Sequence, residues 1–212
     1  MKNEFQDSYD FLLAENSAKR REEQRKARKL LFEGFEKIDS NGHIDYPHID
    51  ELRSSISSAT EIFTPHQLQQ TIYHADTGTH IMPSIFKQLL ANIKSSFIIR
   101  PGSIHDVQAF VKWAFQNKVN YTIRGAGTWP FGGCVPLNND VILDLSNLDF
   151  MRLNAEKRTL TVGAGVIFQN AHKYMSQNGF SLRQDISNPG SGTITGWIAT
   201  GGLGLGSYKY GH

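Results

Sequence analysis

Between Tyr121 and Gly133 the chain reads Y-T-I-R-G-A-G-T-W-P-F-G-G, a short apolar run that gives way to four glycines within nine residues. Glycine at this density removes side chains where a backbone turns sharply or lies against a ligand, and it leaves main-chain N–H groups free to converge on an anion. A second stretch, Asn188 to His212, holds eight glycines in twenty-five residues with small hydroxyl residues between them. Either stretch alone reads equally well as an irregular connection. Two of them, each preceded by a strand or helix of the same domain, point to a phosphate-bearing ligand that lies against backbone.

At 212 residues the chain can bury a substantial core. The formal net charge of +2 is mild and calls for no nucleic-acid partner. The basic clusters Lys19-Arg20-Arg21 and Arg25 to Lys29 are interrupted by Glu22 and Glu23, which reads as a solvated, salt-bridged helix face. The single cysteine, Cys134, has no internal partner for a disulfide, and neither a secretory leader nor an integral membrane segment is visible, so a cytoplasmic location is expected. No histidine lies near Cys134 in sequence, which argues for an unreactive small residue beside the first glycine loop.

Residues 15 to 93 read as four helices at apolar spacing: Ala18 to Ile38, Ile49 to Ala59, Pro65 to Ala75 and Pro83 to Ile93. The breaks Asp39 to Asp45 and Asp76 to Ile81 are acidic loops, the first carrying Ile44 and the second ending on Ile81. This repeat resembles a pair of EF-hands. With Gly42 at the sixth place of the first loop, Asp39 and Asn41 fall at the third and fifth, but Lys37 and His48 take the terminal ligand places. In the second loop Thr79 replaces the glycine, Ile85 stands where the bidentate Glu belongs, and Asp76 is the sole strong oxygen ligand. The expectation is a degenerate, all-α EF-hand-like unit over residues 1–94 that serves packing or docking and holds no metal.

The second unit, residues 95–212, opens with the β-prone Ser96 to Pro101. Ser103 and Asp106 suit the N-cap and third position of a helix to about Phe115, with Val107, Phe110, Val111 and Ala114 on its buried face. Val119 to Arg124, Val141 to Leu145 and Thr159 to Ala164 read as strands, and Val166 to Gln177 as a helix closed by Gly179 in the left-handed conformation. The order gives an α+β domain with its glycine loops at element ends. A Rossmann site is a poor match, because Pro130 follows Gly125-Ala-Gly127 where the receiving helix should run, and no Gly-Lys-Ser or Gly-Lys-Thr triplet offers a P-loop.

Residues 95–212 resemble instead the N-terminal part of the FAD-binding domain of the vanillyl-alcohol oxidase and p-cresol methylhydroxylase (PCMH-type) family, and within it the glycolate and D-lactate dehydrogenase branch. The resemblance rests on Arg100-Pro101 with Asp106-Val-Gln108, Arg124 to Thr128 with Gly132, Gly133 and Pro136, Val141 to Leu145, Val162-Gly-Ala-Gly165, and Pro189-Gly-Ser191 through Gly196-Trp-Ile-Ala-Thr200 to Tyr210-Gly211. It implies that Arg124, Gly125, Ala126, Gly127 and Thr128 wrap the FAD pyrophosphate through their main chain, with Gly132 and Gly133 close by. Pro189, Gly190, Ser191, Thr193 and Ile194 would line the flavin side, and Gly196, Thr200, Gly201, Gly202 and Gly206 would form the second wall. Relatives that tether FAD place a histidine directly after the first glycines, where this chain has Thr128, so the resemblance implies a noncovalent flavin.

The reaction implied is oxidation of a 2-hydroxy acid or related alcohol, with hydride passing to the flavin and an electron acceptor that the residues do not name. The small-molecule substrate would be held mainly by a following C-terminal domain absent from this sequence, so no catalytic residue is assigned. Other readings stay open: a flavin-dependent ether-lipid (alkyl-dihydroxyacetone-phosphate) synthase, a sugar-lactone oxidase, and a non-catalytic docking protein. Arg183, Gln184 and His172 read as solvated polar positions, and Trp129, Phe131 and Trp197 as packing around the glycines.

Overall fold

The computed structural model describes residues 44–83, 95–137 and 141–211. Its centre is a four-stranded sheet. Strands β1 (Glu61–Phe63), β2 (Ile98–Arg100), β3 (Tyr121–Arg124) and β4 (Val141–Asp144) stand in the order β1-β2-β4-β3. β4 pairs in parallel with both β2 and β3. All four of its residues are buried, as expected of a strand covered on both faces, and the continuous run Val-Ile-Leu supplies the apolar side chains for it.

Between β2 and β3 the chain forms helix α4 (Ile104–Gln116), preceded in sequence by the short helices α1 (Ile49–Ser55), α2 (Gln67–Tyr73) and α3 (Thr77–Ile81). The start of α4 is fixed as its sequence predicts: the Asp106 N–H donates to Ser103 Oγ, and the Ser103 hydroxyl donates back to Asp106 Oδ2 at 2.7 Å. Phe110, Trp113 and Ala114 pack inward with Phe97, Ile99, Val141 and Leu143. The expected buried position of Val111 is corrected to 38% exposed, and Trp113 takes the inward place, its indole N–H donating to the His48 carbonyl.

Residues 44–83 share this sheet and core. β1 pairs antiparallel with β2, Glu61 opposite Arg100, and Ile44, Ile49 and Leu52 belong to the same apolar cluster as Phe97 and Phe110. The EF-hand-like pair is therefore a correction. Ile44 is in the core, whereas Ile81, placed at the end of the second acidic loop, ends the helix α3 and is 83% exposed. Glu61 to Phe63, which follow α1, supply a sheet edge. Asp76 to Ile81, read as an acidic loop, is a capped turn of helix in which the Asp76 carboxylate accepts the Thr79 N–H at 2.9 Å. The first and fourth expected helices, 18–38 and most of 83–93, lie outside the described residues.

A charged network ties β1, β2, β4 and α2 together. The Arg100 guanidinium donates to Asp144 at 2.9 Å, to Glu61 at 2.6 Å and to the Tyr73 hydroxyl, which itself donates to Asp144 at 2.6 Å. Burial alone would raise the Asp144 carboxyl, but the Arg100 charge, the Tyr73 hydroxyl and the Ser146 N–H hold it below the usual range. The Tyr73 hydroxyl is pushed upward, first by burial and then by Asp144, so it remains a donor.

A second layer follows. Strands β5 (Met151–Asn154) and β6 (Thr159–Val162) form an antiparallel hairpin, and helix α5 (Phe168–Gln177) packs Phe168 and Ala171 with Val166, Ile186 and Ile194. Gly179 closes α5 at φ 76°, as expected. The glycine-rich end also contains two short helices, α6 (Ile194–Ala199) and α7 (Ser207–Tyr210), which its composition did not announce.

Arg100→Ala removes the counter-charge from a carboxylate only 4% exposed and should lower stability by about 3–5 kcal/mol in urea unfolding at neutral pH. Asp106 behaves like Asp144: burial would raise it, but the Ser57 N–H and the Ser103 and Ser57 hydroxyls bring it below its ordinary value. Both carboxyls titrate lower in the folded than in the unfolded chain. Their contribution is thus full above about pH 4 and lost as pH falls through the folded values. The urea midpoint should drop as pH falls below about 4, and less steeply in Asp106→Asn.

Candidate functional site

β3 and β4 run in parallel register from Tyr121 opposite Val141 to Arg124 opposite Asp144, so their carboxyl ends open at the same side of the sheet. In open α/β sheets ligands collect there. β3 leads directly into the first glycine loop. The main-chain N–H groups of Gly125, Ala126, Gly127 and Thr128 have no acceptor among the described residues. Four adjacent N–H dipoles at a strand end can stabilise negative charge without a metal.

The two glycine-rich segments meet at Thr193. A Cβ on Gly125 would stand 2.8 Å from Thr193 Oγ1, and one on Gly196 would stand 2.7 Å from the same atom. Thr193 is buried and caps α6, its hydroxyl oxygen accepting the Gly196 N–H at 3.3 Å. Its backbone is bridged to Ile167, while the Ile194 N–H donates to the Val166 carbonyl at 3.0 Å. The second segment is thereby fixed to the layer of β5, β6 and α5 and faces the first across Gly125.

Gly127 sits at φ 68°, and a side chain there would collide with the Arg124 guanidinium. The reason lies in where Arg124 points. Only 6% exposed, it turns inward, donating to the Ala75 carbonyl at 3.0 Å and to the Tyr73 carbonyl, and its guanidinium lies over the Tyr73 ring. Its backbone begins the loop while its charge secures residues 73–75. Gly132 is committed too: its N–H donates to Asp76 Oδ2 at 2.6 Å. A Cβ at Gly132, Gly133 or Gly201 would meet open space.

The remaining predicted positions divide. The Pro189 carbonyl accepts the Gln169 N–H at 2.8 Å, and a side chain on Gly190 would approach Gln169 Oε1 at 3.2 Å; Ser191 is exposed beside it. Thr200 ends α6, its hydroxyl donating to the Trp197 carbonyl. Gly202 lies against the Trp197 indole and Gly206 against the Arg183 carbonyl, so both meet protein rather than open space. Arg183 stacks over Tyr210, and Gln184 donates to the Gly211 carbonyl, which gives these polar residues a turn-holding task. His172 is half-buried and shares a hydrogen bond with the Gln184 carbonyl. Trp197 packs edge-on against Phe168; Trp129 and Phe131 contact each other but stay exposed, contrary to the packing expected of them.

Burial raises the Cys134 thiol despite the Arg124 charge nearby, so it stays protonated at neutral pH. Among the described residues no cluster of three or more His, Cys, Asp or Glu could hold a metal ion, and no helix is long and apolar enough to cross a membrane. Composition gave no hint of Tyr73, Asp76 and Thr77, all of which touch the first glycine loop or its base. The available signal was Asp76 followed three positions later by Thr79, a helix-start pattern.

The donor set fits a diphosphate-bearing cofactor: main-chain N–H groups with no acceptor among the described residues and a glycine that permits close approach. Residues 95–212 match the FAD binding domain family. D-2-hydroxyglutarate dehydrogenase of Xanthomonas citri pv. viticola is 36% identical over 116 residues, covering 54% of this chain and 25% of that protein. D-lactate dehydrogenase of Archaeoglobus fulgidus is 29% identical over 116 residues, covering 54% of this chain and 26% of that protein. The chain thus spans about a quarter of the length of these curated relatives. Among solved structures, an alkyldihydroxyacetonephosphate synthase superposes with a TM-score of 0.67 at 21% identity, covering 78% of this chain and 34% of its own. A p-cresol methylhydroxylase with bound substrate superposes at 0.58 and 17%, covering 73% and 29%. The fold is the α+β PCMH-type FAD-binding fold.

Gly202→Ala drives a methyl group into the Trp197 ring and should cost roughly 1–3 kcal/mol by thermal or urea unfolding. Gly133→Ala, with open space at its Cβ, should change stability by less than about 0.5 kcal/mol.

Proposed function

This chain belongs to the FAD binding domain family, with FAD as its cofactor, and from that membership we propose that it forms the cofactor-holding part of an oxidoreductase acting on a 2-hydroxy acid. The observation that carries the reading is the row of N–H groups at Gly125 to Thr128, which have no acceptor among the described residues, with Gly125 set against Thr193 of the second glycine segment. Residues 124–128 hold the diphosphate through main chain, and Gly133 leaves room beside it. Pro189, Gly190, Ser191, Thr193 and Ile194 would line the flavin side, with Gly196, Thr200 and Gly201 as the second wall. Gly132, Gly202 and Gly206 support this cradle through their contacts with Asp76, Trp197 and Arg183.

When bound, FAD supplies the hydride acceptor. The chain's own part is to fix the diphosphate with oriented dipoles and to hold the two glycine segments at one spacing. Thr128, where a tethering histidine would stand, leaves the cofactor noncovalent; its carbonyl is occupied by the Thr77 hydroxyl at 2.7 Å. The substrate class follows the names of the sequence relatives, D-2-hydroxyglutarate and D-lactate dehydrogenase. The likeness to alkyldihydroxyacetonephosphate synthase is one of fold and does not select a reaction. Substrate contacts and the route to the electron acceptor lie outside the residues assigned here.

The complete polypeptide should purify with flavin absorbance between about 350 and 450 nm, bleached by anaerobic D-2-hydroxyglutarate, D-lactate or glycolate. Bands that persist with all three would remove the 2-hydroxy-acid assignment. Acid precipitation should release the colour to the supernatant. Gly127→Asp adds a carboxylate to the loop in a backbone conformation that disfavours it, so FAD affinity should fall by about tenfold or more. Unchanged flavin content in that variant would defeat the diphosphate assignment.

A further inference from the structure

The first glycine loop is bonded to a segment distant from it in sequence. Its base and its far end are attached to residues 73–79. Arg124 donates to the Tyr73 and Ala75 carbonyls, the Thr77 hydroxyl donates to the Thr128 carbonyl at 2.7 Å, and the Gly132 N–H donates to Asp76 Oδ2 at 2.6 Å. Gly78 comes so close to the Pro130 carbonyl that a Cβ would overlap it. Asp76 is 3% exposed, and its other oxygen, Oδ1, accepts both the N–H and the hydroxyl of Thr79. Both carboxylate oxygens are thus engaged.

We propose that Asp76 is a positioning residue for the cofactor: it clamps the far end of the glycine loop through Gly132 and, with Thr77, presets residues 125–128 in the shape that receives the diphosphate. The inference rests on the cofactor-site reading above. Asp76 acts at one remove. It takes the Gly132 N–H out of contention, and its two oxygens are directed at Gly132 and Thr79 rather than at the N–H groups of Gly125 to Thr128. Preorganisation of this kind raises affinity by removing the ordering cost of the loop at the moment of binding. The clamp comes from the segment ahead of the matched family region, which is why residues 95–212 alone do not contain the whole cradle.

The test measures FAD dissociation constants by flavin fluorescence on the complete polypeptide, well below the melting temperature, with amide exchange of residues 125–133 followed in the flavin-free protein. Asp76→Ala should weaken FAD binding by about ten- to a hundredfold and speed exchange across the loop. Asp76→Asn, which keeps an acceptor for one of the two donor sets, should fall between Asp76→Ala and wild type. If Asp76→Ala fails to fold, Thr77→Val serves instead: it removes one loop bond from an exposed hydroxyl and should weaken FAD severalfold. Unchanged affinity in the folded variants, alongside loss of FAD in Gly127→Asp, overturns the clamp and leaves the cofactor site standing. Unchanged affinity in Gly127→Asp as well overturns both.

Discussion

The pairing of Arg100 with Asp144 is the constraint around which this fold is arranged. Taking either charge out of water is costly, and the cost is offset only where geometry and further hydrogen bonds are good. Here Asp144 receives the Arg100 guanidinium, the Tyr73 hydroxyl and the Ser146 N–H, while Arg100 also reaches Glu61. These residues sit on β1, β2, β4 and α2 or directly beside them. Satisfying the pair therefore fixes four chain segments relative to one another. It also fixes Tyr73, whose ring lies against the Arg124 guanidinium at the root of the glycine loop.

From that root, the placement of the loop follows. Arg124 spends its side chain on the carbonyls of residues 73 and 75, and the N–H groups of the four residues after it have no acceptor among the described residues. The second glycine segment arrives through Thr193, held to Ile167 and facing Gly125. Glycine serves two ends in these segments. At Gly125 and Gly196 it permits two backbones to share the space around one hydroxyl, whereas at Gly202 and Gly206 it permits the chain to pass an indole and a carbonyl. Composition alone does not separate these uses.

Much of the second unit was legible because its signals are local. The Ser103 and Asp106 pair fixes the start of α4, Gly179 the end of α5, and the run Val-Ile-Leu a strand buried on both faces. In the first unit the helix and turn signals are equally local, but the structure they enter is not. Glu61-Ile-Phe63 has too few residues to announce a strand, and it becomes one only because β2 offers an edge with Arg100 opposite Glu61. Likewise, an aspartate spaced from a threonine reads as a loop ligand or as a helix cap. The partner that decides, the Gly132 N–H, lies 56 positions away. Long-range pairing of this sort has no periodicity to detect.

The three residues of β1 have a consequence for where this protein can be cut. The family match begins at residue 95, which invites a boundary there for expression. Such a truncation would strip the antiparallel neighbour from β2, leaving the unpaired amides and carbonyls of Ile98 to Arg100 as a template for another chain, and would uncover Phe97 and Ile99 from Ile44, Ile49 and Leu52. The shortened polypeptide would be prone to intermolecular strand addition and insolubility, with Arg100 stripped of Glu61 and Tyr73. The folding unit is longer than the stretch that sequence similarity marks out.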